Sequence, residues 1–169
     1  MEDRNNPVTL RTVGGRLVEA RRAALSGQGS GPHRMEPVAE LNGSFFINDS
    51  KATFLDATLD SLGRMGTKVV WIVGDLSTEL DEGPVADLLR EKVAAVVLFG
   101  RRPLIDEEPP AIPVEHFYVT EDLRTAVFLA NELVRQGQSV LFSPACPSGN
   151  GFANYEERGA EFKRAVRDL

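Results

Sequence analysis

Two short segments concentrate the residue types that do chemistry. Asp49-Ser50-Lys51-Ala52-Thr53 sets a carboxylate, two hydroxyls and an ammonium within five positions. The segment falls where a strand passes into a helix. Asp49 or Ser50 is therefore expected to cap that helix, whose first-turn N–H groups attract anions, and Lys51 adds a positive charge beside them. This is either a site for a carboxylate or phosphate, or a capped helix start with a solvated lysine. The stretch 143–151, Ser-Pro-Ala-Cys-Pro-Ser-Gly-Asn-Gly, is either a polar binding loop or a plain connection. His33 and His116 have no spacing that serves a Ser or Cys nucleophile. Cys146, just after an apolar run, reads as a packed small residue rather than a thiolate. The chain has no G-x-x-x-x-G-K-[ST] phosphate loop, no G-x-G-x-x-G after a strand and no G-x-S-x-G elbow.

The elements that position these segments alternate. Glu36–Leu41 and Ser44–Asn48 flank Asn42-Gly43, a dipeptide suited to the positive φ angles of a tight hairpin turn. Val69–Val73, Val93–Phe99 and Ser139–Phe142 are continuous apolar runs, the pattern of strands buried on both faces. Glu115–Val119 is expected to be a short strand. Helical spacing predicts Ala52–Arg64, Pro84–Glu91, Leu123–Arg135 and Asn154–Leu169, with a further short helix possible over Arg16–Leu25. The expected fold is α/β, a Rossmann-like, mostly parallel sheet flanked by helices, with an N-terminal β-hairpin. Ligands of such sheets bind beyond the carboxyl ends of the strands. The loops to watch are therefore 48–51, 74–78, 100–102 and 143–150.

Composition narrows the class. At 169 residues, 42% hydrophobic and 26% charged, the chain has room for about one globular domain. Residues 1–34 carry six arginines and three acids, a net +3; the chain's −6 then leaves −9 for the rest. The first 31 residues, rich in Arg, Gly and Ser, are expected to be a flexible head before a domain over 32–169. A net acidic chain is a poor nucleic-acid or anionic-membrane binder. No apolar run approaches the ~18–20 residues of a spanning helix. One cysteine suits a reducing cytoplasm, and two histidines with it are too few for an ordinary structural zinc site.

Four blocks follow one another: His33-Arg34-Met35-Glu36, Ile47-Asn48-Asp49-Ser50-Lys51-Ala52-Thr53, Ser143-Pro144-Ala145-Cys146-Pro147-Ser148 and Tyr155-Glu156-Glu157-Arg158-Gly159. In that order and spacing they resemble the C-terminal domain of the Mur ligases over residues 32–169, and most of all its D-glutamate-adding branch. The resemblance implies the third of three domains in an ATP-dependent ligase of peptidoglycan biosynthesis. ATP and Mg belong to the whole enzyme, with no cofactor held by this chain alone. It implies that a carboxylate is activated as an acyl-phosphate and attacked by the amine of D-glutamate. Arg34 would reach the nucleotide phosphates and Asp49 the ribose. Ser50, Lys51, Thr53, Thr78, Ser148, Gly149 and Tyr155 would line the pocket of an acidic amino acid. It assigns no catalytic and no metal-ligating residue to this chain.

The departures from that pattern are local. After Val73 the family usually reads Gly-Gly-x-x-Lys; here stands Gly74-Asp75-Leu76-Ser77-Thr78, so Thr78 replaces a lysine and Asp75 and Glu79 add negative charge. Phe54 replaces an asparagine, and Tyr155 a phenylalanine. Three readings follow. The chain is a stand-alone domain without catalysis of its own, a part of an active ligase completed by a chain carrying the central and N-terminal domains, or an interaction domain that keeps only the fold.

Overall fold

The structure, a computed structural model, describes residues 31–76, 80–100, 110–149 and 151–169. The expected short helix over Arg16–Leu25, nearly all of the expected head, and Thr78 lie outside the described residues. Among those residues the elements run β1 (Glu36–Leu41), β2 (Ser44–Asn48), α1 (Leu55–Arg64), β3 (Val69–Val73), α2 (Gly83–Lys92), β4 (Val93–Phe99), β5 (Phe117–Thr120), α3 (Leu123–Leu133), β6 (Ser139–Phe142) and α4 (Tyr155–Arg167).

They build one sheet in the order β1-β2-β6-β3-β4-β5. The first pair is antiparallel and the other four are parallel. The hairpin closes on Asn42 (φ 51°) and Gly43 (φ 78°), with Leu41 paired to Ser44. Two successive positive φ angles match the right-handed twist of the flanking strands, which is why Asn-Gly sits there. Pro37 has no N–H to donate and lies on the edge strand β1 beside a register shift, where a missing ladder bond costs least.

Both faces of the sheet are buried, and the two-residue period of each strand sorts its side chains. Val69, Trp71 and Val73 join Ile47, Leu141, Leu62 and Leu89 on the face covered by α1 and α2. Val70 and Ile72 join Phe46, Phe142, Val127 and Phe162 on the face covered by α3 and α4. The continuous apolar runs of the sequence are thus two alternating sets, each with its own core. Asp122 caps α3 and Asn154 caps α4, each accepting a bond of 2.8 Å from the N–H three residues on (Thr125 and Glu157).

Several boundaries differ from expectation. The helix expected from Ala52 starts at Leu55, and neither Asp49 nor Ser50 caps it. Its N-cap is Phe54, with no side-chain acceptor. Asp49 and Ser50 are turned away into long-range hydrogen bonds described below, so Ala52 and Thr53 lead into the helix without forming part of it. The short strand lies at Phe117–Thr120, not Glu115–Val119, and α3 stops at Leu133, because Val134 is extended and Gly137 turns at φ 86°. The helices expected over Pro84–Glu91 and Asn154–Leu169 run Gly83–Lys92 and Tyr155–Arg167.

Phe54 has the extended backbone of an N-cap (φ −150°, ψ 159°) and a ring 60% exposed. Phe54→Asn supplies the missing acceptor and should stabilise the domain by about 1 kcal/mol. A thermal unfolding midpoint raised by roughly 2–4 °C is the expected readout.

Candidate functional site

The carboxyl ends of the five parallel strands gather on one edge, and β2 and β6 lie side by side there. The loop after β2 is tied down on every side. Asp49 N–H donates to Phe142 O (2.7 Å), Lys51 N–H to His33 O (2.9 Å), and Ser50 N–H to Asn48 Oδ1 (3.2 Å). With Oδ1 so engaged, Asn48 Nδ2 faces the other way, to Glu36 Oε2 (2.9 Å) and His33 Nδ1 (3.0 Å). Nδ1 must accept that bond, so the imidazole is neutral.

Asp49 is 2% exposed. Its Oδ1 accepts from Met35 N–H (3.1 Å) and its Oδ2 from Ser143 Oγ (2.7 Å), while Thr58 Oγ1 lies 2.8 Å from the same serine hydroxyl. Burial pushes the carboxyl pKa of Asp49 up, although Ser61, Ser143, the Met35 N–H and the charge of Arg34 all pull it down. The carboxylate thus anchors the chain segment that enters the domain. That segment is strained: His33 (φ 63°) and Met35 (φ 45°) both occupy the left-handed region. Each costs about 1–2 kcal/mol without glycine. The His33 N–H bond to Glu36, the Met35 N–H bond to Asp49 and the Lys51 N–H bond to His33 O over-determine it. Arg34, between the two strained residues, is left exposed.

The result is a cleft of about 200 Å³ lined by Arg34, Asp49, Lys51, Phe54, Ser61 and Arg64, among others. It brings together Arg34, Asp49 and Lys51 of the expected set. Lys51 also reaches the other side, its Nζ lying 5.8 Å from the centroid of the Tyr155 ring at the start of α4. Ser50 is buried, and its hydroxyl donates to Tyr155 O at 2.8 Å. It therefore supports the loop instead of lining an open pocket. Thr53 and Ser148 are half-buried and Gly149 is exposed.

Three residues that the sequence reading left without a role hold this arrangement. Asn48 and His33 form the lock just described. Arg158 of α4 is buried, with its guanidinium bonded to Ser50 of one loop and to Cys146 and Pro147 of the other. Its signal in the sequence was a charge on the same helical face as Phe162 and Val166. Gly74, after β3, lies under the second loop: a Cβ there would sit 2.6 Å from Cys146 Sγ.

The lock carries a pH dependence. Burial, then the charge of Lys163, holds the His33 pKa below its ordinary 6.5. The unfolded chain therefore takes up a proton before the folded one does. His33 contributes stability that is fully present above pH 6.5 and lost as pH falls from there toward its lower folded pKa. Asparagine tolerates positive φ and retains an acceptor. His33→Asn should therefore flatten the fall in unfolding midpoint between about pH 7 and pH 5.

The family model for the Mur ligase, glutamate ligase domain matches residues 33–146. UDP-N-acetylmuramoylalanine--D-glutamate ligase of Chlorobaculum tepidum is 40% identical over 153 residues, which is 89% of this chain and 32% of that protein. The same-named ligase of Christiangramia forsetii is 40% identical over 145 residues, 81% of this chain and 31% of its own. Among solved structures, MurF ligase from Thermotoga maritima in complex with ADP aligns over 83% of this chain and 32% of its own, at 17% identity and a TM-score of 0.47. The chain spans about a third of the length of the relatives it matches. With more than half of its residues inside the family model, the chain belongs to the Mur ligase family and carries its glutamate ligase domain.

Proposed function

We propose that this domain presents a nucleotide and an acidic amino acid to a P-loop ATPase domain that lies outside these residues, in D-glutamate ligation for peptidoglycan biosynthesis. The observation that carries the reading is the cleft in which Arg34, Asp49 and Lys51 meet. Arg34 is a forked cation suited to phosphate oxygens. Asp49 accepts hydrogen bonds and suits a ribose hydroxyl. Lys51, between the cleft and Tyr155, suits the carboxylate of the amino acid, with Thr53, Ser148 and Gly149 around it. Ser50 holds Lys51 from behind. Among the described residues no group of three or more His, Cys, Asp or Glu could hold a metal.

The chain contains no phosphate loop of its own. The purified chain is expected to bind ADP and D-glutamate weakly and to turn over no ATP. Calorimetric titration tests both. Robust ATP turnover abolished by Asp49→Ala would contradict the division of labour. Thr78→Lys restores the charge that the family usually carries and should tighten D-glutamate binding about tenfold, the worth of one charge-assisted hydrogen bond. No gain would favour the reading of an interaction domain that keeps only the fold.

A further inference from the structure

Arg158 is 1% exposed, in the first turn of α4 and four residues before the core residue Phe162. A guanidinium buried so deeply is normally matched by a carboxylate, because an uncompensated buried charge is costly. Among the described residues none bonds to it. Its acceptors are neutral and belong to two loops. Nε donates to Ser50 Oγ (3.2 Å) and Nη2 to Ser50 O (2.9 Å). Nη1 donates to Cys146 O (3.0 Å) and Pro147 O (3.1 Å). Ser50 Oγ in turn donates a hydrogen bond to Tyr155 O, which closes the circuit on α4. Packing alone does not call for arginine at this position: methionine or leucine would fill the space without the cost of a buried charge. What only the planar fork can do is bridge several fixed acceptors at once.

We infer that Arg158 is a positioning residue, a clasp that holds the loop after β2 and the loop after β6 at one separation so that Lys51 and Ser148 face the same bound acidic amino acid. Two of the three bonded residues are immediate neighbours of a binding residue, Ser50 before Lys51 and Pro147 before Ser148, and the third, Cys146, lies one position further back. Among the described residues no carboxylate is bonded to this positive charge beneath the two loops, which favours an anionic ligand over a neutral one. The assignment of the ligand rests on the function proposed above; the clasp itself does not.

The test is amide hydrogen exchange of the full chain with Arg158→Met and Arg158→Lys, alongside titration with D-glutamate, D-glutamine and ADP. In Arg158→Met the amides of 48–53 and 143–149 should exchange at least about tenfold faster, while those of β3 and β4 keep their rates. Arg158→Lys, which keeps the charge without the fork, should fall between. D-glutamate affinity should drop more than D-glutamine affinity, and more than ADP affinity. Unchanged loop exchange would overturn the clasp, as would equal acceleration in β3 and β4, the mark of a merely structural arginine. If Arg158→Met does not fold, the same loop-against-strand comparison in Arg158→Lys decides. Loops that open in a chain whose wild type ignores D-glutamate would support the clasp and count against the proposed ligand.

Discussion

Gly159→Ala should lower the unfolding midpoint by roughly 4–8 °C, corresponding to a net loss of about 2 kcal/mol. The added Cβ would stand 2.0 Å from His33 Nδ1 and 3.0 Å from Asn48 Nδ2. No real contact is that short, and the ring cannot swing aside freely, because His33 is only 9% exposed and its Nδ1 accepts from Asn48. Overpacking of this kind costs about 1–3 kcal/mol. The broken hydrogen bond adds about 1 kcal/mol. Alanine's better helix propensity returns up to about 1 kcal/mol. The damage should reach function, because the residue displaced is the neighbour of Arg34. ADP binding should weaken even where the domain stays folded. His33→Gly removes the ring and accepts the positive φ at that position, so the double variant should recover part of the loss. Strict additivity of the two changes in a double-mutant cycle would contradict the contact.

Asp49 separates stability from binding. Asp49→Ala leaves the Met35 N–H without its acceptor and strips the Ser143 hydroxyl of its carboxylate partner, at a position only 2% exposed. Each buried unsatisfied group costs about 1–3 kcal/mol, so a loss near 3 kcal/mol is expected. Asp49→Asn keeps an oxygen for Met35 N–H, and its amide can donate to Ser143 Oγ, which then turns its proton to Thr58. Stability should stay within about 1 kcal/mol of wild type at pH 7. The sign of the pH dependence supports this. A carboxyl whose folded pKa is raised contributes stability that is full below its unfolded value and lost as pH rises through the folded one. At neutral pH the charge is thus no net aid to folding, and asparagine gives little up. ADP affinity, which on this account needs an acceptor of full negative charge, should fall in both variants. Equal stability losses in Asp49→Ala and Asp49→Asn would contradict the hydrogen-bond account.

Local signals carried much of the fold. Asn42-Gly43 marks its hairpin because few other dipeptides hold two positive φ angles. Val69–Val73 and Val93–Phe99 mark buried strands because nothing polar interrupts them. The order β1-β2-β6-β3-β4-β5 is another matter. It inserts β6 between β2 and β3, and pairings such as Phe46 with Val140 leave no trace in the local pattern. The site divides in the same way. Asp49 and Lys51 are legible as chemistry and Arg34 through the family resemblance, and the cleft unites them. Asp49 and Ser50 were misread as helix caps because they stand beside a helix in sequence. Their side chains instead bond to Met35, Ser143 and Tyr155, the last 105 positions away. Arg158 broke the apolar stripe of its helix, the mark of a charge with a long-range task.

The central claim is that one edge of this sheet binds both nucleotide and acidic amino acid. A residue-resolved amide chemical-shift titration of the purified chain with ADP, then with D-glutamate, tests it most directly. The account predicts that ADP moves the signals of Arg34, Met35 and Asp49 first. D-glutamate should then move Lys51, Thr53, Ser148 and Tyr155. Shifts confined to other surfaces, or no shift with either ligand at millimolar concentration, would contradict it.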